Sequence, residues 1–138
     1  MNLHTPTIQL QLSPRQRADD EDWCRVQVTA SAGRFTADFD AYLQTADLER
    51  FADELEALHR GVVTPALATL ASAEPNVYVQ LSMQRLGGIS GKYELQGEEG
   101  AGGTARLSGT FEADQSYLPS LQESVRTLIS QLRSQNAA

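Results

Sequence analysis

Residues 24–41 read Cys-Arg-Val-Gln-Val-Thr-Ala-Ser-Ala-Gly-Arg-Phe-Thr-Ala-Asp-Phe-Asp-Ala. Cys24, Val26, Val28 and Ala30 alternate with Arg25, Gln27 and Thr29, the two-residue period of a strand buried on one face only. Gly33 supplies a turn, after which Phe35, Ala37, Phe39 and Ala41 alternate with Thr36, Asp38 and Asp40. So short a connection predicts a hairpin. A parallel sheet is covered on both faces and reads as continuous apolar runs, so this alternation predicts an antiparallel sheet with one wet face.

The same period recurs on both sides of this hairpin. Ile8, Leu10 and Leu12 alternate with glutamines and end at Ser13-Pro14; Val77, Val79, Leu81 and Met83 form a strong strand over 76–84. Weaker strands are expected at 66–72, 89–96 and 104–113. At Thr45 the period changes to that of a helix, with Leu48, Phe51, Leu55 and Leu58 on one stripe. Thr45 is a candidate N-cap, Asp47 and Glu49 suit the positive end of the helix dipole, and Gly61 stops the helix. A second helix is expected over 116–133, with Leu118, Leu121, Val125, Leu128, Ile129 and Leu132 inward and Pro119 tolerated in its first turn.

These elements, in the order β-β-β-α-β-β-β-β-α, predict an α+β fold. One antiparallel sheet of six or seven strands carries two helices packed on one face. The 138 residues are enough for one domain with its own core, which is expected over about 7–134. Loops expected to be mobile lie at 13–22 and at the glycine-rich stretch 97–103. The chain shows no internal repeat.

Composition narrows the function. Acidic residues outnumber basic ones 18 to 11, for a formal charge of −7. Direct nucleic-acid binding draws its affinity from lysines and arginines set against phosphates, so neither nucleic acid nor an anionic membrane surface is an expected partner. The acidic surface suits a basic protein, although many soluble proteins carry such charge for solubility alone. The segment 1–14 lacks the basic and apolar runs of a secretory signal, and no stretch is long enough to span a bilayer. A soluble, cytoplasmic protein is expected.

No motif supplies catalysis. Asp38 and Asp40 share a strand face about 7 Å apart, but on a wet face they read as surface charge. His4 and His59 stand alone, and Cys24, the one cysteine, falls on an inward face where a thiol acts as a small apolar group. The 97–103 loop carries glutamates and joins two strands, unlike a phosphate loop. No metal and no cofactor are expected, and the protein is expected not to be an enzyme.

Trp23, Tyr42 and Tyr78 fall on the polar side of the sheet. Large exposed aromatics anchor protein interfaces, although aromatics also favour strands generally. With Asp38, Asp40 and the acidic run Asp19, Asp20 and Glu21, they are the candidate partner-binding residues.

Several features in order carry a resemblance. Trp23 precedes an alternating strand and a glycine turn, and Thr45-x-Asp47-Leu48 opens a leucine-rich helix. Glu74-Pro75-Asn76 then opens a strong strand, the Phe111-x-x-Asp114 step follows, and a leucine-rich helix closes the chain. Over about 22–132 this resembles the WapI-type immunity family, from which the chain departs in its glycine-rich insertion at 97–103. The resemblance implies a small cytoplasmic protein without catalytic residues. Such a protein binds and neutralises a bacterial toxin domain, in some cases a nuclease attacking tRNA. Other readings of the residues are an accessory or scaffold subunit of a larger assembly, and a small-ligand binder with a pocket between sheet and helices. The partner, the face it uses and the oligomeric state stay open.

Overall fold

A computed structural model describes residues 1–61, 67–74, 76–84, 87–99 and 102–134. The chain folds as β1 (Asn2–His4), β2 (Gln9–Gln16), β3 (Trp23–Ala32), β4 (Phe35–Gln44), α1 (Thr45–Arg60), β5 (Leu67–Ala71), β6 (Val77–Met83), β7 (Gly88–Glu99), β8 (Gly103–Asp114) and α2 (Tyr117–Arg133). The α+β class, both helices and the antiparallel pairing are as expected.

The single sheet is not. The strands form two four-stranded antiparallel sheets, ordered β1-β2-β3-β4 and β5-β6-β7-β8. Alternation reports which side of a strand is buried. It does not report whether strands on either side of a helix are neighbours, and here α1 stands between β4 and β5. Nor do the helices share one face of one sheet. They pack on each other, α1 also lying along β5 and α2 along β1 and β2. The strand β1 escaped the sequence reading because three residues with one apolar side chain show no period. With it present, the architecture is two successive ββββα units, although the sequence shows no repeat.

Within each sheet the expected pattern holds. β3 and β4 pair from Trp23↔Gln44 to Ala32↔Phe35, and Gly33 turns between them at φ 62°. Cys24, Val26, Val28, Ala41 and Leu43 are buried, whereas Asp38, Asp40 and Tyr42 are exposed. The core joins both sheets and both helices, with Val26, Leu43, Phe51, Leu55, Val79, Leu121 and Val125 in one cluster. Truncating any of its large members to alanine costs about 2–5 kcal/mol.

In the second sheet, two glycines make room for rings. Gly91 stands opposite Phe111 and Gly109 opposite Tyr93. A methyl group on Gly91 would lie 2.1 Å from Phe111 Cζ, and one on Gly109 2.5 Å from the Tyr93 hydroxyl. The two rings stack with centroids 6.4 Å apart.

Three local expectations need correction. β2 does not end at Pro14 but runs to Gln16, with an irregularity between the two, as suits a proline near a bulge. The N-cap of α1 is Gln44, one residue before Thr45; its N–H donates to the Asp47 carboxylate at 3.2 Å. Gly61 ends the helix in the left-handed region, as expected. The glycine-rich stretch is not a loop over 97–103, because Gly97, Glu98 and Glu99 pair with Ala105, Thr104 and Gly103 as β7 and β8 continue. Its tip at 100–101, the expected start of a strand at Ala66 and Pro75 lie outside the described residues.

Candidate partner-binding cleft

The pairing of β3 with β4 sets Trp23, Arg25, Gln27 and Thr29 beside Gln44, Tyr42, Asp40 and Asp38 on the outer face of the first sheet. Where β4 turns away into α1, its outer face looks across at the mouth of the β6–β7 hairpin. The gap is an open cleft of about 910 Å³. Trp23, Asp38, Phe39, Asp40 and Tyr42 line one side, and Glu74, Asn76 and Gln96 the other. Asn76 fixes that second wall: its Nδ2 donates to the Gln96 carbonyl at 3.2 Å, and its own carbonyl accepts the Gln96 N–H at 2.9 Å.

Three carboxylates face this space and no lysine or arginine lines it. Asp40 meets Arg15 at 3.4 Å and Arg25 at 3.7 Å, in pairs whose members are all more than a third exposed. Such pairs contribute at most about 1 kcal/mol. The longer contact is an ion pair without a hydrogen bond, and Arg25 Nε has no hydrogen-bond acceptor among the described residues. Among the same residues Asp38 accepts only from Gln27 Nε2, at 3.0 Å, and the Glu74 carboxylate meets no cation. The cleft is therefore electronegative. Tyr42, 49% exposed, is one of two large hydrophobic side chains among the described residues that stand clear of the surface.

The acidic run that precedes Trp23 is tied down by hydrogen bonds. Asp19 Oδ1 accepts the N–H groups of Glu21 at 2.9 Å and Trp23 at 3.0 Å, an Asx turn. Asp22 adopts φ 66°, the one non-glycine residue at positive φ among those described. Its carboxylate accepts the Ala46 N–H at 3.0 Å and the Thr45 hydroxyl. Asp22 thereby caps α1 from outside the helix. On the far side, Arg133 donates to Thr45 Oγ1 at 3.1 Å and to Glu49 at 2.9 Å, while the Ala18 N–H donates to the Leu132 carbonyl at 2.8 Å. The side chains of Asp20 and Glu21 remain exposed.

Of the residues singled out from sequence, Trp23, Asp38, Asp40 and Tyr42 meet in the cleft. Asp19, Asp20 and Glu21 sit on the turn leading to Trp23. Tyr78 is apart: it lies on the outer face of the second sheet, with Lys92 Nζ 6.0 Å from its ring centroid. Phe39, Glu74, Asn76 and Gln96 were not singled out as binding residues. Glu74 and Asn76 belong to the tripeptide that carried the family resemblance, and that was their only signal.

Cys24 is buried and its Sγ–H donates to the Leu43 carbonyl at 3.1 Å. Burial first, then the nearby negative charges of Asp22, Asp47 and Asp19, push its pKa up to about 12. A thiol so protonated is a poor nucleophile. Among the described residues no three His, Cys, Asp or Glu side chains are gathered so as to hold a metal ion, and no helix is long and apolar enough to cross a membrane.

Comparison with known proteins gives three results. Among solved structures, MRP1/MRP2 from Trypanosoma brucei is similar at a TM-score of 0.46 and 11% identity, over 90% of this chain and 74% of that one. WHY1 from Arabidopsis thaliana is similar at a TM-score of 0.47 and 13% identity, over 99% of this chain and 92% of that one. No curated protein matches. The immunity protein WapI-like family matches residues 2–133, and the chain belongs to that family.

Proposed function

We propose that the protein is a non-catalytic, cytoplasmic immunity protein that neutralises a bacterial toxin domain by binding it through the cleft between β4 and the β6–β7 mouth. Family membership supports a protein partner of this kind. The observation that carries the choice of surface is the joining of Trp23 and Tyr42 with Asp38, Asp40 and Glu74 in one open cleft without lining cations. Aromatic side chains supply contact area at small entropic cost. Asp38 and Glu74, which meet no cation among the described residues, attract and orient a basic surface, such as the cleft of a nuclease, and raise the association rate. Asp20 and Glu21 add to that field without belonging to the contact. Asp19 accepts the Trp23 N–H and Asp22 caps α1, so both hold the turn that leads to Trp23.

The test is co-expression with the toxin domain encoded beside this chain, scored by survival, followed by titration calorimetry. Trp23→Ala and Tyr42→Ala are each expected to weaken binding by about 10- to 100-fold, the range for central aromatic contacts. Asp38→Lys is expected to slow association at low salt and to lose that effect as salt rises. Wild-type affinity in all three variants would remove the cleft from the contact. Failure of the wild type to protect cells or bind the domain would remove the immunity reading itself.

A further inference from the structure

The molecule treats its four sheet edges unequally. The edge of β1 meets α2, where the Asn2 N–H donates to Ser124 Oγ at 2.9 Å. The edge of β5 is sealed the same way by α1, where the Thr69 N–H donates to Glu54 Oε1 at 2.9 Å. β4 abuts β7; a methyl group on Gly97 would sit 3.2 Å from Phe39 Cγ. Among the described residues the edge of β8 has no such cover. Beyond its partner β7 its main contact is with α2, and no backbone group outside β7 pairs with it among those residues. From Gly103 to Thr110 nearly every residue is exposed. An edge strand of twelve residues left open is a template for another strand.

We infer that β8 pairs antiparallel with β8 of a second copy of this chain, about a two-fold axis at Gly109. The sequence of the strand, Arg106-Leu107-Ser108-Gly109-Thr110-Phe111-Glu112, complements itself about that residue. On the outer face Arg106 meets Glu112 of the second copy, twice by symmetry, and Ser108 meets Thr110. On the inner face Leu107 stands across from Phe111, whose ring is buried over Gly91 of its own β7 and adds nothing to the contact. Opposite charges and two hydroxyl residues are pairings that stabilise neighbouring strands. Shifting the axis by one residue to Ser108 or Thr110 breaks the Arg–Glu pairing, and a shift to Leu107 sets Arg106 against Ser108. A surface that meets itself under two-fold symmetry closes as a dimer. This one joins the second sheets of two copies into eight strands and leaves the cleft beside β4 open.

A contact of one strand pair lies at the small end of interface sizes, so sedimentation velocity should extend to protein concentrations of about 1 mM. The wild type is expected to move from 15.1 kDa toward twice that mass as concentration rises. Glu112→Arg, at an exposed residue outside the ion pairs of the fold, is expected to weaken dimerisation tenfold or more by opposing two like-charged pairs. Arg106→Glu should do the same, and the double variant R106E/E112R should restore the dimer. Far-UV circular dichroism monitors the fold of each, since Arg106 also pairs with Glu94 at 3.1 Å. A wild type that stays monomeric throughout overturns the inference and leaves the edge to a strand of a different protein. A dimer indifferent to Glu112→Arg, or a double variant that stays monomeric while folded, overturns it as well.

Discussion

Asp22 offers the sharpest test of how the cleft is held, because its substitutions should rank in an order that charge alone does not predict. Its carboxylate accepts the Ala46 N–H and the hydroxyl of Thr45, and Thr45 is fully buried. Asp22→Ala removes a helix cap, at about 1 kcal/mol. It also leaves the Thr45 proton without its acceptor, at about 1 kcal/mol or more. Alanine must further adopt φ 66°, which costs an L-residue with a Cβ and no local polar group about 1 kcal/mol. The expected loss is about 3 kcal/mol, a large part of a stability of about 5–15 kcal/mol.

Asp22→Gly loses the cap but accepts the backbone angle freely, so it should be more stable than Asp22→Ala although its side chain is smaller. Asp22→Asn keeps an acceptor and tolerates the left-handed region, and should lose about 1 kcal/mol. Asp20→Ala and Glu21→Ala, at exposed side chains, should stay within about 0.5 kcal/mol of wild type. Urea unfolding followed by Trp23, the one tryptophan, reads all five variants. With slopes of about 1–3 kcal/mol/M, the midpoint of Asp22→Ala should fall by about 1–3 M. An Asp22→Ala variant within 0.5 kcal/mol of wild type, or an Asp22→Gly variant less stable than it, would refute the capping argument.

The glycines under the rings should be intolerant in a fixed order. Gly91→Ala drives a methyl group to 2.1 Å from Phe111 Cζ and should cost about 2–3 kcal/mol; Gly109→Ala approaches the Tyr93 hydroxyl less closely, at 2.5 Å, and should cost less, thermal unfolding being the check. Cys24 should resist iodoacetamide in the folded protein at pH 8 and react only at the rate of unfolding; rapid stoichiometric labelling would contradict its burial. Because the folded thiol titrates near 12 and an ordinary one near 9, the folded state holds a proton that the unfolded state loses between those values. Stability should therefore fall as pH rises from about 9 toward 12, and Cys24→Ala should flatten that slope.

Local pattern carried most of the fold. The alternation from Cys24 to Ala41 was enough for two strands, their hairpin and their buried face, because each depends on near neighbours. Gly61 marked a helix end for the same reason. The parts that escaped depend on distant partners. Asp22 caps a helix that begins at Thr45, and nothing near Asp22 in sequence announces this. The second wall of the cleft, Glu74, Asn76 and Gln96, comes from another sheet, so alternation could place Asp38 and Tyr42 on a wet face without showing what they face. Tyr78 has the same periodicity as Tyr42 yet lies outside the cleft, because period two sorts residues by side and not by position across a broken sheet.

That break is what makes the cleft proposed as the contact surface. In one continuous sheet, Asp38, Asp40 and Tyr42 would lie on an open plane, and carboxylates on an open plane are solvated charge. Because β4 leaves its sheet to become α1, its outer face is set against the β6–β7 mouth, and the same residues become one wall of a cleft. The two ββββα units then differ in one respect. The last strand of the first unit, β4, abuts β7 of the second, whereas the last strand of the second unit, β8, has no following unit among the described residues to meet it. Each unit's helix closes an edge of the other, through Glu54 on Thr69 and Ser124 on Asn2, so among the described residues two edges are closed by helices, that of β4 abuts β7, and that of β8 is open. A second copy is the economical source of the missing strand. It brings the complementary charges in register, and it occupies a side of the molecule that the cleft does not use.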